Sequence, residues 1–258
     1  TINAGTTGDI TLDVTNGALS GSAADLVLAF AGNVTTHTGG VTITDAPNVA
    51  QLKTINAATN GDITLDVTNG ALSGSAADLV LAFAGNVTTH AAQVTINDVP
   101  NVTQLKTINN ATSGNIVLSS AGQNYSGNAA DLAVAFAGTI NSSGDITIND
   151  APNVAQLKTI NAGTTGDITL DVTNGALSGS AADLVLAFAG NVTTHTGGVT
   201  ITNAPNVTQL KTINAATSGD ITLDVTNGAL SGSAADLVLA FAGNVTTHTG
   251  GVTITDAP

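Results

Sequence analysis

The sequence lacks several residue types that define common protein classes. It has no cysteine, methionine or tryptophan, and only one tyrosine and five phenylalanines among 258 residues. Without cysteine there is neither a disulfide framework nor a thiolate metal site. Because aromatic residues make up 2% of the chain and hydrophobic residues 42%, the core must be mainly aliphatic. Such a core suits thin, closely stacked layers rather than one thick globule.

Positive charge is equally scarce. Four lysines and no arginine stand against eighteen acidic residues, which gives a net charge of −14. Nucleic-acid binding needs a basic stripe that displaces counterions, so we expect no nucleic-acid partner and no affinity for an anionic membrane. No apolar run approaches the roughly 20 residues of a membrane span. Since neither a signal peptide nor an initiator methionine is present, we expect an excerpt of a longer chain.

The chain consists of one unit that occurs five times. Residues 1–44 are identical to residues 159–202. A fixed period of about 53 residues is typical of solenoids, in which each repeat contacts only its neighbours. We therefore predict one continuous array over residues 1–258. Its units, aligned on the phrase Thr-Ile-Asn, are residues 1–53, 54–106, 107–158, 159–211 and 212–258.

Within a unit, the hydrophobic period changes from that of a strand to that of a helix. Residues 63–67 alternate between apolar and polar, as in a strand with one face in water. A polar loop follows. Ser75 and Asp78 then have the spacing of a helix cap. An apolar helix follows, and Gly85 suits its C-terminal end.

The second half of a unit shows the same change of period. Residues 41–44 alternate like a strand, and Asp45 with Pro47 predicts the N-cap and first turn of a helix. Val49, Leu52 and Ile55 would form its narrow apolar stripe. Each unit is thus predicted to be strand–helix–strand–helix.

These elements predict an α/β solenoid of parallel strands with helices on one side, an architecture like that of leucine-rich repeats. Parallel strands require long crossovers, which the helices provide. Because the strands alternate in polarity, one face of the sheet should be exposed. The alternative is an all-β solenoid, in which the Thr-rich residues 33–40 and the Asn-Gly turns form additional strands or hairpins.

Aspartates recur on the predicted outer face of the first strand. Calcium binds six to eight oxygen atoms, and spaced carboxylates beside threonine hydroxyls supply part of such a set. A solvated acidic face is the alternative interpretation, because no EF-hand loop or calcium-binding nonapeptide is present. The candidate calcium ligands are Asp9, Asp13, Asp62, Asp66, Asp167, Asp171, Asp220 and Asp224.

Histidine occupies one repeat position in four units. Neighbouring copies would lie about 10 Å apart, which is too far to share a metal ion. We therefore expect solvent-exposed loop residues. They are His37, His90, His195 and His248.

Threonine pairs such as Thr42 with Thr44 and Thr200 with Thr202 resemble the flat threonine arrays of ice-binding solenoids. The interposed Asp-bearing strands would break a regular lattice, so strand propensity is the favoured explanation.

Asparagine recurs in two patterns. The glycosylation sequons are Asn33, Asn86, Asn101, Asn110, Asn124, Asn141, Asn191, Asn206 and Asn244, and a repeat rich in Asn and Thr also produces these by chance. A second set should form a side-chain ladder that bonds turn backbone groups after the second helix. Its members are Asn3, Asn56, Asn109, Asn161 and Asn214.

The third unit departs from the others. It carries Asn115 and Ser119 where other units have the outer aspartates, Tyr125 in the loop, and no histidine. The third unit therefore argues against a function that requires an equivalent site in all five units.

We do not expect an enzyme or a cofactor. Catalysis needs different groups that converge on one pocket, whereas a repeat presents the same few groups again and again. The loop before Ser75 precedes a helix N-terminus, which suits anions. It has no adjacent lysine and lacks phosphate-loop spacing.

Two phrases resemble the repeats of very long bacterial proteins, in particular giant cyanobacterial cell-surface and adhesin-like proteins. They are residues 47–61, Pro-Asn-Val-Ala-Gln-Leu-Lys-Thr-Ile-Asn-Ala-Ala-Thr-Asn-Gly, and residues 73–79, Ser-Gly-Ser-Ala-Ala-Asp-Leu. The resemblance implies export and a structural or adhesive role at the cell surface or outside the cell.

From these observations we expect a stalk, fibre or surface layer that self-associates, since open strand edges favour end-to-end pairing. The alternative is an adhesin whose repeated Asp/Thr face binds glycan, calcium or ice.

Overall fold

The computed structural model describes residues 2–256, in which short helices alternate with three-residue strands. A single 3₁₀ turn at Asn3–Gly5 comes first. The α-helices are α1 Ala23–Ala29, α2 Val49–Ala58, α3 Ala76–Ala82, α4 Val102–Ala111, α5 Ala129–Ala135, α6 Val154–Gly163, α7 Ala181–Ala187, α8 Val207–Ala216 and α9 Ala234–Ala240.

The strands follow the same repeating order. They are β1 Leu19–Gly21, β2 Val41–Ile43, β3 Ile63–Leu65, β4 Leu72–Gly74, β5 Val94–Ile96, β6 Ile116–Leu118, β7 Tyr125–Gly127, β8 Ile146–Ile148, β9 Ile168–Leu170, β10 Leu177–Gly179, β11 Val199–Ile201, β12 Ile221–Leu223, β13 Leu230–Gly232 and β14 Val252–Ile254.

Each repeat contains one strand more than the predicted order of strand, helix, strand and helix. The chain runs from β2 through α2 into β3, then directly into β4, and only then into α3. The segment that includes β4 was predicted to be a polar loop. A three-residue strand of sequence Leu-Ser-Gly has a single large apolar residue, so it leaves no alternation to detect.

The chain forms two compact units. The first comprises Thr1–Ala121 with Gly138–Asn141, and the second comprises Gly122–Ala137 with Ser142–Pro258. The prediction that all five repeats form one continuous array stays a prediction.

All strand pairs are parallel, and they form small separate sheets. In the first unit β1 pairs with β2 and β2 with β3, and β4, β5 and β6 pair likewise. In the second unit β7, β8 and β9 form one sheet, β10, β11 and β12 another, and β13 pairs with β14. The parallel strands are therefore arranged in groups of two or three.

The α/β solenoid is confirmed, because parallel strands alternate with helices in every repeat. In the first unit α1 packs on α2, α2 on α3 and α3 on α4. In the second, α5 to α9 pack in sequence. Residues 33–40, on which the all-β alternative depended, contribute only isolated parallel bridges, Ile10 to Val34 and His37 to Thr59.

The sheets have one buried and one open face, as their alternation predicts. In β3, Ile63 and Leu65 are buried and Thr64 is exposed. The helices add Leu52 and Ile55 from α2 and Leu79 from α3, all fully buried. The core is therefore an aliphatic layer between strands and helices.

The first helix of a repeat begins as predicted, but the second does not. Ser75 accepts a hydrogen bond from the backbone N–H of Asp78 at 3.1 Å. The N-cap of α2 is Asn48, which forms a capping box with Gln51. Asp45 instead accepts a hydrogen bond at 2.7 Å from the N–H of Ala23, at the start of α1.

This assignment of Asp45 corrects the prediction that it caps its own helix. A carboxylate is favourable at a helix N-terminus, and the N–H that Asp45 bonds lies 22 residues earlier in the chain. The bond recurs with Asp98, Asp150, Asn203 and Asp256 as acceptors.

Within residues 2–256, no helix has the length and apolar character of a membrane span.

Candidate functional site

The strand face predicted to carry function points into solvent. Asp62, Thr64 and Asp66 are exposed around the buried Ile63 and Leu65. The other predicted aspartates are exposed at the equivalent positions, namely Asp9, Asp13, Asp167, Asp171, Asp220 and Asp224. At β3, β9 and β12 the two carboxylates therefore lie on the open side of a sheet. Residues 9–13 form only an isolated bridge, at Ile10.

The first aspartate of each pair is held by an asparagine of the next coil. The Asn86 side-chain amide donates to Asp62 at 2.8 Å. The same bond joins Asn33 to Asp9 at 2.9 Å, Asn191 to Asp167 at 2.7 Å and Asn244 to Asp220 at 2.7 Å. This carboxylate thus has a structural partner already.

Nothing in the described residues gathers further ligands around these pairs. Across residues 2–256, no group of three or more His, Cys, Asp or Glu side chains is arranged to hold a metal ion. Two carboxylates supply fewer oxygens than the six to eight that calcium takes. Calcium binding at these aspartates stays a prediction, and it would rely on water for most of the coordination shell.

Hydroxyl groups form short rows on the same face. Ser20, Thr42 and Thr64 stand in register across β1, β2 and β3. Ser178, Thr200 and Thr222 do so in the second unit. Each row covers only three strands, and aspartates flank its last member, as the sequence predicted.

Three of the four histidines are buried and His248 is half-buried, so the expectation of solvent-exposed loop residues was wrong. His37, His90 and His195 are each only 2% exposed. The Nε2 atom of His195 lies 2.6 Å from the carbonyl oxygen of Gly175, twenty residues earlier. The ring also contacts Phe188, with ring centroids 5.9 Å apart. The flanking threonines and glycines gave no sign of burial, because the covering groups come from other coils.

The backbone of the same histidine pairs with the following coil. Thr217 donates its hydroxyl to the His195 carbonyl oxygen at 3.0 Å, and the N–H of Ser218 donates to the same oxygen at 2.8 Å. One residue thereby joins the preceding coil, its own and the next. Burial lowers the pKa of His195 against the opposing effect of the Gly175 and Gly197 backbone.

In the third repeat, Ser142 takes the place of the histidine. It keeps the parallel bridge to Thr164 and is buried. Tyr125 packs edge-on against Phe136 with centroids 5.3 Å apart, and burial raises the pKa of its hydroxyl. An aromatic contact within this repeat thus replaces the histidine–phenylalanine contact of the others.

The helices are joined by ion pairs that sequence reasoning missed. Lys53 of α2 lies 2.5 Å from Asp78 of α3, and Lys158–Asp183 and Lys211–Asp236 repeat this geometry. The hydrogen bond from Lys53, supported by Ser75 and by the lysine charge, lowers the pKa of Asp78. The common position of the lysines in the first four repeats was the available signal.

The recurrent asparagines bond backbone groups, as predicted, although they lie inside the second helix and not after it. The amide of Asn56 donates to the carbonyl oxygens of Leu81, Ala82 and Ala84 at 3.2, 3.0 and 2.6 Å. Asn161 and Asn214 repeat the pattern. These carbonyls end α3 and have no partner within their own helix.

Several sequon asparagines also serve the fold. Asn86 bonds Asp62, and Asn101 and Asn206 cap helices. In the same motif as Asn86, the hydroxyl of Thr88 accepts from the N–H of Leu65. The Asn-Val-Thr phrase at residues 86–88 thus lies beside a strand, whereas at residues 101–103 and 206–208 it begins a helix. Glycosylation stays a prediction.

An open, mainly apolar cavity of about 590 Å³ lies beside α1. Its lining includes Ile10, Leu12, Leu28 and Val34, with Asp25 as the single ionisable side chain. The equivalent surface in the next repeat is covered by α2. The cavity therefore does not bring together the different groups that catalysis requires.

Comparisons with protein-family models, curated proteins and solved structures give no match. The geometry of the repeat is therefore the basis for the function proposed below.

Proposed function

We propose that this chain is a structural repeat protein that forms an extended extracellular or cell-surface element, such as a stalk, fibre or surface layer. The observation that carries the proposal is the use of the polar side chains. Lys53, His37 and Asn56 each bond a group 20 to 28 residues away in an adjacent coil. These contacts recur from repeat to repeat, so they build a stack and leave few groups for chemistry.

The mechanism is mechanical. Each added coil buries aliphatic side chains such as Leu52 and Leu79 and pairs its strand with the one before. In such an array each repeat is stabilised by its immediate neighbours, so copy number sets length. Open strand edges favour end-to-end self-association.

Three features support a location outside the cell. The chain has no cysteine, it is strongly acidic, and two of its phrases resemble repeats of bacterial surface proteins. Protease treatment of intact source cells tests this location. Degradation of the chain while the cells stay intact supports the proposal. A chain that the protease does not reach in intact cells contradicts it.

The structural role is tested by inserting one, two or three further copies of residues 54–106 after residue 106. We expect the maximum dimension from small-angle scattering to rise by an equal step, about 10 Å, for each copy. Thermal stability should not fall. Steps that shrink with copy number, or insertions that stay unfolded, would contradict a stack. A Gly/Ser insertion of 53 residues is the control.

Self-association is tested by sedimentation of the full chain over a range of concentrations. Under this proposal the mean mass rises with concentration, and a monomer at every concentration counts against a filament.

A second candidate is a binding module, which the rows of hydroxyls beside aspartates favour. Ser178, Thr200 and Thr222 lie next to Asp220 and Asp224, and hydroxyl and carboxylate oxygens are suitable partners for calcium or glycan. Calorimetry with calcium, and a glycan array, compare the wild type with the Asp220→Asn/Asp224→Asn variant. Binding lost in this variant with unchanged stability favours the module, and absence of binding in the wild type excludes it.

A further inference from the structure

The buried histidines hold the coils together in their neutral form. Each Nε2 atom lies against a carbonyl oxygen, at 2.6 Å for His37, His90 and His195. A carbonyl oxygen can only accept, so Nε2 carries the hydrogen and Nδ1 of the neutral ring has none. The tautomer is thereby fixed by the coil that precedes each histidine.

The other ring nitrogen has poor means to accommodate a proton. The Nδ1 atom of His195 lies 3.5 Å from the Thr217 hydroxyl, a long contact. That hydroxyl already donates to the His195 carbonyl oxygen and accepts from the N–H of Gly219. The Nδ1 atom of His90 is buried without any partner.

No charge near the ring would compensate an imidazolium. The groups that contact His195 are the Phe188 ring, Thr217 and the backbone of Gly175 and Gly197, which are all uncharged near neutral pH. The causes that shift its pKa are burial and two backbone hydrogen bonds, with no contribution from a charged side chain. A buried charge without a partner is costly.

We propose that the histidines make the stack acid-labile, so that mild acid loosens the coil-to-coil contacts of every repeat that carries one. The third repeat has Ser142 at this position, so its contacts should not respond to mild acid. This inference concerns the fold and does not depend on the extracellular role proposed above.

The direction of the pH dependence follows from linkage. Burial lowers the pKa of His195 below its ordinary value of 6.5 in the folded chain. As the pH falls below about 6.5, the unfolded chain therefore binds protons before the folded chain does. Folding stability is complete above that pH and is lost progressively as the pH falls towards the folded pKa.

The test compares urea unfolding of the wild type at pH 7.5, 6.5 and 5.0 with that of a variant patterned on the third repeat. This variant carries His37→Ser, His90→Ser, His195→Ser and His248→Ser. Aspartates titrate mainly below this range. For the wild type we expect the folded-to-unfolded ratio to fall by about tenfold or more between pH 7.5 and 5.0, and for the variant by less than about twofold.

A wild type whose stability is constant over this range would overturn the proposal, and so would a variant that loses stability as steeply as the wild type. If the variant does not fold, NMR titration of the wild-type imidazoles decides. The proposal expects the pKa of His195 to lie below its value in the urea-unfolded chain, and it expects the Nε2–H tautomer at neutral pH. A His195 pKa equal to or above that of the unfolded chain would contradict it.

Discussion

Asn56, His37 and Asp45 all bond to backbone groups that lie twenty or more residues away in the chain. Their partners are the carbonyls that end a helix, a loop carbonyl, and the N–H that begins a helix. Such groups have no partner within their own element, and leaving them buried and unpaired is costly. At the residue scale, these polar side chains therefore complete the backbone hydrogen bonding of adjacent coils.

The asparagine that bonds three carbonyls should be the most sensitive of these residues to truncation. Asn161→Ala removes the side-chain donor to the carbonyls of Leu186, Ala187 and Ala189. The Leu186 carbonyl keeps backbone bonds from Phe188 and Ala189. We expect a loss of about 1–3 kcal/mol in the free energy of unfolding, measured with urea. The control is Asn174→Ala at an exposed position. Equal effects of the two changes would show that the three bonds add no stability.

Two glycines at one repeat position offer a matched test of close packing between coils. A Cβ atom on Gly61 would overlap the carbonyl oxygen of Gly39, whereas on Gly8 it would only touch the Thr6 hydroxyl, 3.5 Å away. We expect Gly61→Ala to cost about 2–4 kcal/mol and Gly8→Ala less than about 0.5 kcal/mol. Thermal unfolding of the two variants decides, and similar losses would refute this close approach.

At the scale of elements, the sequence predicted those features whose signals are local. The first helix was predicted because Ser75 and Asp78 lie within one turn of each other, and strand alternation correctly gave the open face of β3. The prediction that Asp45 caps its own helix was wrong, because its partner Ala23 lies in another coil. The burial of His37 was missed for the same reason. Contacts across coils have no signature within a short window of sequence.

The ion pair between α2 and α3 gives a prediction about a pKa. In Lys53→Met, we expect the pKa of Asp78 to rise towards the ordinary carboxyl value, because the lysine hydrogen bond is the largest cause of its lowering. The stabilisation from this pair is present above the ordinary carboxyl pKa of about 3.9 and is lost as the pH falls through the folded pKa. Near pH 7 the exposed pair contributes little.

Carboxyl NMR titration measures this change directly. Asp183 of the same variant serves as the internal control, because its own partner Lys158 is intact and holds its pKa low. An Asp78 pKa that stays low without Lys53 would mean that Ser75 is sufficient.

At the scale of the molecule, the repeat separates its charges. The lysines at residues 53, 158 and 211 pair with aspartates of the next helix. The aspartates of the open strand face, such as Asp66, have no lysine beside them on their strand. The helix side is therefore close to neutral at these pairs, and the strand face carries much of the net charge of −14. This arrangement favours solubility of the strand face.

The period itself should decide which deletions the chain tolerates. Removal of residues 54–106 joins Lys53 to Thr107 within a helix of unchanged pattern, so each cross-coil contact can form again with the next repeat. Removal of only residues 54–79 takes out fewer residues, yet it fuses the first half of α2 to the end of α3 and leaves Lys53 without Asp78. We expect the full-period variant to keep its helical circular dichroism per residue and to unfold cooperatively. The shorter deletion should lose about 3 kcal/mol or more, or fail to fold. Equal tolerance of both deletions would show that stacking in register does not hold this fold together.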